Sequence, residues 1–250
     1  MKFNTKFLLL CLFAAAIFIG GCAVVRPAAG RAAIKCSAPV KTCIAGASVK
    51  GKSIKYTKLG DGLNATLLIG SIHGDEQAGA SLLDRFCDYL KKNRHLLCGK
   101  TVIIVPIVNP DGFAGKTRFN ANKIDLNRNF PADNRIDDAN NGYFALSQPE
   151  SWSLYKIINT YKPNKILTFH ETLGCIDYDG SASQIADRLA GKCKLPVRKL
   201  GAKPGSLGSY AGQTLNIPII TIELSEEDSR LSPEKLWNNY KDMLLTCIDF

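Results

Sequence analysis

The chain has 250 residues, 46% of them hydrophobic, and a formal charge of +10 from 32 Lys and Arg against 22 Asp and Glu. That length supplies one sizeable core once an N-terminal leader is set aside, and the pattern holds no internal repeat and no second domain. The basic residues are scattered, which excludes a nucleic-acid-binding stripe and suits an anionic partner such as cell wall or lipid headgroups.

Lys2 and Lys6 precede an apolar stretch over residues 7–19, too short and too near the start to span a membrane. It ends in Ile19-Gly20-Gly21-Cys22, which resembles a bacterial lipobox, small residues before a cysteine that takes lipid. The expected organisation is a lipoprotein signal peptide over residues 1–21, a tether over 22–46 beginning at lipidated Cys22, and a catalytic domain over 47–250. Pro27, Pro39 and the Ala- and Lys-rich composition mark the tether. An ordinary secretion signal or an uncleaved anchor is the alternative. The expected location is the cell envelope, periplasm-facing or otherwise extracytoplasmic, with a monomer held to the membrane by its lipid. Seven cysteines follow Cys22, and export permits disulfides. Cys36–Cys43 is the expected pair, although sequence does not give connectivity. None of the seven has C-x-x-C spacing, which argues against a structural zinc.

Strands are expected near residues 53–58, 66–71, 101–108, 165–170, 195–199 and 217–224. Helices are expected near 76–93, 147–161, 181–191, 206–216 and 232–247. Near-continuous Val, Ile and Leu runs indicate strands buried on both faces, hence an α/β domain whose functional residues fall at strand ends. Asn109-Pro110-Asp111-Gly112 reads as a tight turn. His95, in Lys91-Lys92-Asn93-Arg94-His95, reads as a solvated helix-end residue without a role.

The chain has three histidines, and two stand in telling places: His73 in Ile72-His73-Gly74-Asp75-Glu76, and His170 closing Ile166-Leu167-Thr168-Phe169-His170. A catalytic zinc takes three protein ligands and leaves a fourth place for water. His73 and Glu76, where a strand turns into a helix, offer two ligands, and His170 offers the third. Alone, H-x-x-E is a weak signal, and each histidine has a plainer structural explanation. Arg118, Asp125 and Arg128, in Lys116-Thr117-Arg118 and Ile124-Asp125-Leu126-Asn127-Arg128-Asn129-Phe130, also have plainer readings: surface charges for the arginines, a cap or turn former for Asp125. Glu223, inside Ile219-Ile220-Thr221-Ile222-Glu223-Leu224, is harder to explain without a task, since an unpartnered carboxylate is costly to bury. The seven positions together fit amide hydrolysis. Zinc lowers the pKa of a bound water from 15.7 towards about 7 and polarises a carbonyl. A nearby carboxylate shuttles the proton, and a fixed guanidinium faces the oxyanion, worth roughly 3 kcal/mol.

The order H-x-x-E, N-P-D-G, T-R, D-L-N-R-N-F, strand-final His and I-E-L resembles the zinc metallocarboxypeptidase family over about residues 53–245. HGDE, with the short segment from Arg118 to Arg128, looks most like its bacterial murein peptide amidases, which cleave the γ-D-glutamyl–diaminopimelate bond of cell-wall peptides. The resemblance implies a single-domain twisted mixed β-sheet with helices on both faces. It implies Zn²⁺ held by His73, Glu76 and His170, with Glu223 as the catalytic carboxylate and Arg118 stabilising the oxyanion. Asn127 and Arg128 would grip the substrate's terminal carboxylate, and Asp125 would orient the first zinc histidine.

The mobile tyrosine that the family's digestive members place upstream of the catalytic Glu is missing from residues 199–204, and Tyr210 reads as a packing residue. Asp177 and Asp179 are placed to accept the ammonium of diaminopimelate, a solvated loop carboxylate being the plainer reading of at least one. Gly205, Ser206, Gly208 and Ser209 leave room for a long polar side chain. The expected partner is a murein-derived peptide, with no nucleic acid. Two other functions share part of this pattern. Zinc deacylases of N-acyl amino acids, the succinylglutamate desuccinylase and aspartoacylase group, share H-x-x-E and a DLNR-like segment. A zinc-containing, non-catalytic envelope lipoprotein is the other, against which Glu223 and Arg118 argue.

Overall fold

The apolar runs assemble as a sheet because each alternates its side chains between two buried faces. In the computed structural model, which describes residues 38–249, six strands form one sheet. They are β1 (Val40–Ala47), β2 (Ser53–Gly60), β3 (Asn64–Ile69), β4 (Lys100–Val105), β5 (Lys165–Asp179) and β6 (Ile219–Ser225), in the order β1-β2-β4-β3-β5-β6. The β1–β2 and β2–β4 pairs are antiparallel, whereas β3 runs parallel to β4 and β5. Five helices accompany them: α1 (Ala78–Lys92), α2 (Pro110–Gly115), α3 (Pro149–Tyr161), α4 (Ser183–Ala190) and α5 (Pro233–Ile248).

Leu68, Ile104, Leu167 and Ile222 pack with Leu83, Ala186 and Leu244 of α1, α4 and α5. Their neighbours Leu67, Ile103 and Ile166, with Ile219 of β6, face the other way, against Leu154, Ile157 and Ile158 of α3. A one-residue slip of register would exchange the two cores. Each fully buried Leu or Ile contributes roughly 1.5–3 kcal/mol of apolar burial, so the register is strongly fixed. The result is the expected α/β architecture, a mixed sheet with helices on both sides.

The pairing of β5 with β6 changes sense partway. From Ile166↔Ile219 to Glu171↔Leu224 the two run parallel; from Cys175↔Glu223 to Asp179↔Ile219 the register descends. Glu223 is therefore paired to His170 on one edge and to Cys175 on the other, and β6 lies between two arms of β5.

Four expectations need correction. The tether expected over residues 22–46 overlaps Val40–Ala47, which is the outermost strand, so the sheet begins well before residue 47. Alternation there is blurred because an edge strand is half solvated. Asn109-Pro110-Asp111-Gly112 opens a helix rather than only turning the chain: Asn109 caps α2 by accepting from Gly112 N at 2.9 Å, with Pro110 at its first position. The strand expected at 195–199 is reduced to a single bridge, Ile176↔Val197. In the helix expected at 206–216, Ser209–Thr214 is a π-helical turn. The expected leader, Cys22 and Cys36 lie outside the described residues. Cys43, the expected partner of Cys36, is a free thiol, as are Cys87, Cys98, Cys175, Cys193 and Cys247. Among the described residues no helix is long and apolar enough to cross a membrane.

Candidate active site

Parallel strands deliver the site. β3 ends at Ile69, and the loop that follows carries His73 and Glu76 into the N-terminus of α1. This loop is pinned by Val108 N to Gly70 O at 3.3 Å and Asn109 N to Ser71 O at 3.0 Å, and by Ser71 Oγ donating to Glu76 O at 2.8 Å. Gly74 sits against α2 so closely that a Cβ there would lie 2.0 Å from the Gly112 carbonyl carbon. His170 arrives on the first arm of β5, beside Glu223 of β6.

The side chains of His73, Glu76 and His170 converge and are all buried, with one donor atom from each lying within 4.8 Å of the others. Nδ1 of His73 is 2.8 Å from Glu76 Oε1, Nδ1 of His170 is 2.7 Å from Oε2, and the two Nδ1 atoms are 3.2 Å apart. Asp125 Oδ1 lies 3.1 Å from His73 Nε2. An N–H on Nε2 directs the Nδ1 lone pair into the cluster. Two imidazole nitrogens and a carboxylate aimed at one point, with one imidazole oriented from behind, are the donor set of a catalytic zinc. The residues fit that ion.

Electrostatics follow from the same contacts. Burial alone would push the Glu76 carboxyl up, but the facing His170 and His73 imidazoles hold it down at about 2. Burial would lower the pKa of His73; hydrogen bonds to Asp125 and Glu76 overcome it and raise the value. Asp125 is likewise depressed despite its burial, by His73 and the Arg118 and Arg128 charges. Asp125 both caps and orients: Oδ1 also accepts from Asn127 N at 2.9 Å, starting the 3₁₀ turn Leu126–Arg128. Arg118 donates to Asp125 Oδ2 through Nε at 3.3 Å and Nη2 at 3.1 Å, and to Glu76 Oε1 at 3.4 Å. Asn127 accepts from Leu207 N at 2.9 Å, which turns its amide nitrogen to within 3.5 Å of His170 Nε2.

A cleft of about 320 Å³ opens over the triad, with Arg118, Asn127, Arg128, Asp177, Asp179 and Glu223 in its lining. Burial raises the pKa of Glu223. Asp177 and Asp179 are buried strand residues rather than solvated loop carboxylates. Asp177 accepts from Leu200 N at 2.8 Å, and Asp179 is ion-paired to Lys199 at 2.7 Å. Of the four small residues expected to give the cleft room, Ser206 and Gly208 line it. Gly205 has φ +67° with Arg128 O 2.4 Å from where a Cβ would stand, so it serves close backbone approach. Ser209 is buried and donates to Asn134 Oδ1 at 2.8 Å. Tyr210 is buried, with its ring 6.1 Å from Phe130 in near-parallel planes and 6.0 Å from Tyr155; it packs the core beside α3, as expected.

Sequence reasoning missed Glu171. It lines the cleft beside His170 and accepts from Ala78 N at 2.7 Å, capping α1, whose own N-cap residue Gln77 makes no side-chain cap. No local pattern announces a cap supplied from another strand.

A buried His-Glu-His donor set at the ends of parallel strands, beside the half-buried Glu223 carboxylate and a positioned arginine, defines a metallohydrolase, and comparison gives the family. The chain belongs to the zinc carboxypeptidases, whose family pattern matches residues 29–188. That span holds His73, Glu76, Arg118, Asp125, Asn127, Arg128 and His170 and ends before Glu223. It is similar to murein peptide amidase A of Escherichia coli K12, at 32% identity over 191 residues, 68% of this chain and 74% of the relative. The Vibrio campbellii amidase is 30% identical over 187 residues, 68% and 73% of the two chains. Among solved structures, murein-tripeptide amidase from Escherichia coli O157 superposes with a TM-score of 0.66 at 27% identity, covering 84% of this chain and 91% of that one. Carboxypeptidase A from Helicoverpa armigera gives 0.69 at 18% identity over 83% and 66%, a likeness of fold. The chain is thus a hydrolytic enzyme of the metallopeptidase and amidase class.

Proposed function

We propose that the chain is a zinc-dependent exopeptidase that hydrolyses the γ-D-glutamyl–diaminopimelate bond of murein peptides. One observation carries the reading: a single cleft gathers the donor triad, Glu223, Arg118, the Asn127–Arg128 pair and two buried carboxylates. Similarity to the murein peptide amidases supports it. Zinc held by His73, Glu76 and His170 would polarise the scissile carbonyl and acidify the attacking water. Glu223 accepts that water's proton on a carboxylate oxygen and returns it to the leaving nitrogen; a pKa raised by burial suits a group that must do both. Arg118, held by Asp125 and Glu76, faces the developing negative charge. Asn127 and Arg128 take the substrate's terminal carboxylate, for which a planar guanidinium gives a bidentate grip. Asp177 is the acceptor for the distal ammonium of diaminopimelate, since Asp179 already holds Lys199.

Release of diaminopimelate from L-Ala-γ-D-Glu-diaminopimelate, followed by mass spectrometry, tests this. Cleavage is expected to exceed that of peptides ending in Phe or Leu, and Asp177→Ala is expected to raise KM. Equal or better hydrolysis of a Phe-terminated peptide refutes the murein assignment, and activity on N-acetyl-aspartate alone moves the chain to the deacylases. The reading includes a monomer anchored in the cell envelope through lipid on Cys22. Native protein in the membrane fraction, released or left unprocessed by Cys22→Ser, is the expected outcome; a soluble native protein cleaved elsewhere contradicts it.

A further inference from the structure

The cleft lies at the β5–β6 side of the sheet, and the opposite edge, β1, carries a surface that hydrolysis does not use. Residues 40–60 contain lysines at 41, 50, 52, 55 and 58 and no acidic residue. Lys41, Lys50 and Lys55 are exposed and Lys58 is half-buried, and none of these four side chains has an ion-pair partner among the described residues. Lys41 stands directly opposite Lys58 across the β1–β2 pair, where like charges destabilise a sheet unless something anionic answers them. Two acids that reach this edge are already engaged: Glu150 is buried and accepts from Val49 N at 3.1 Å, and Asp111 accepts from Lys50 N at 2.9 Å and pairs with Lys52. Exposed Asp61, just past β2, forms no ion pair with these lysines among the described residues.

Exposed apolar side chains flank the same edge, Ile44 opposite Lys55 on one face of the sheet and Trp152 on α3, which covers the other face, that of Lys41 and Lys58. Ile44 on β1 is 66% exposed, Val49 in the hairpin 37%, and Trp152 on α3 47%. Trp152 precedes Lys156 by four residues on the same helix face, and Lys156 donates to the β1 carbonyl of Ala45 at 2.9 Å, tying that face to the edge. Lysines around an exposed tryptophan and aliphatic side chains form the composition of an interfacial membrane contact.

We propose that the β1 edge, with the exposed face of α3 beside it, docks on the anionic headgroups of the membrane. The contact is separate from lipid on Cys22, but the proposal rests on the envelope location inferred above. A basic patch adds an electrostatic attraction of its own to whatever anchoring the lipid gives. Placed at the edge away from His170 and Glu223, it leaves the cleft uncovered.

The test uses the chain bearing Cys22→Ser, purified without lipid, and vesicles of phosphatidylglycerol with phosphatidylethanolamine or of neutral phosphatidylcholine. Sedimentation is expected to show binding to the anionic vesicles alone, lost in high salt. Lys41→Glu/Lys58→Glu should weaken it by on the order of tenfold or more, while Lys192→Glu/Lys194→Glu, an equal charge change elsewhere, should not. The chain has two tryptophans, and Trp237 is buried. A blue shift of emission on binding should therefore be lost in Trp152→Phe. Failure of the envelope reading is separately visible, as native protein without lipid in the soluble fraction. No binding to anionic vesicles, or equal loss from the two double variants, overturns the docking surface; the lysines would then only guard an edge strand against pairing.

Discussion

His73 joins three jobs in one ring, as its contacts reach Glu76, Asp125 and His170. Its raised pKa gives the pH behaviour of the metal-free protein a definite sign. A raised value means stability present below the ordinary 6.5 and lost as pH rises through the folded value. Glu76, depressed to about 2, contributes above the ordinary 4.5 and loses that contribution as pH falls towards 2. Metal-free protein should therefore resist unfolding best between about 4.5 and 6.5 as far as this pair decides, and thermal melts across pH 3 to 9 would check it. Zinc held by His73 would have to displace its proton, so its affinity should climb with pH over the range where the metal-free stability falls. Competition against a coloured chelator reads this directly, and a pH-independent affinity would contradict it. Glu223→Gln keeps the shape and removes the base. Zinc content should stay at about one per chain while turnover falls by several orders of magnitude; turnover within about tenfold of the parent would assign the proton to another group.

At the scale of elements, α2 and the metal loop act as one piece. Gly74→Ala would drive a methyl into the backbone of Gly112, where only backbone movement can make room. A loss of roughly 2–4 kcal/mol of stability is expected, with weaker zinc binding because His73 and Glu76 flank the displaced residue. Urea unfolding with zinc titration distinguishes this from a harmless substitution. The sequence announced most of these parts. Strand-final His170 and the H-x-x-E loop are legible because buried polar residues in apolar runs demand an explanation, and Glu223 because it is a lone carboxylate in such a run, where the structure leaves it half-buried in the cleft lining. The capping of α2 was written as Asn-Pro but was ambiguous with a turn, since both use the same residues. The 195–199 strand failed because Val197 has one bridge to hold, Ile176, and no further ladder. Glu171 was invisible: its partner, Ala78 N, lies 93 residues away in the chain, and local patterns do not report such contacts.

For the whole molecule, the corrected boundary matters most. β1 pairs with β2 along Val40↔Leu59 to Ala47↔Ser53 and holds the side chain of Lys156. A chain starting at residue 38 should fold and unfold cooperatively, whereas one starting at residue 48 would expose the row of N–H and C=O groups on β2 and invite association. Size-exclusion chromatography of the two should give a discrete species for the first and aggregates for the second. Equal behaviour would return β1 to the tether.

The placement of β6 between the two arms of β5 also orders assembly in time. The first arm is registered against β3, from Thr66↔Lys165 to Ile69↔Thr168, using chain synthesised before β6. His73, Glu76 and His170 can meet on that scaffold. Glu223 joins them when a later strand slots into a space with partners on both sides, a long-range pairing of the slow kind. In chain order the three donor residues precede β6, so the strand that brings Glu223 to them closes the site from between partners on both sides.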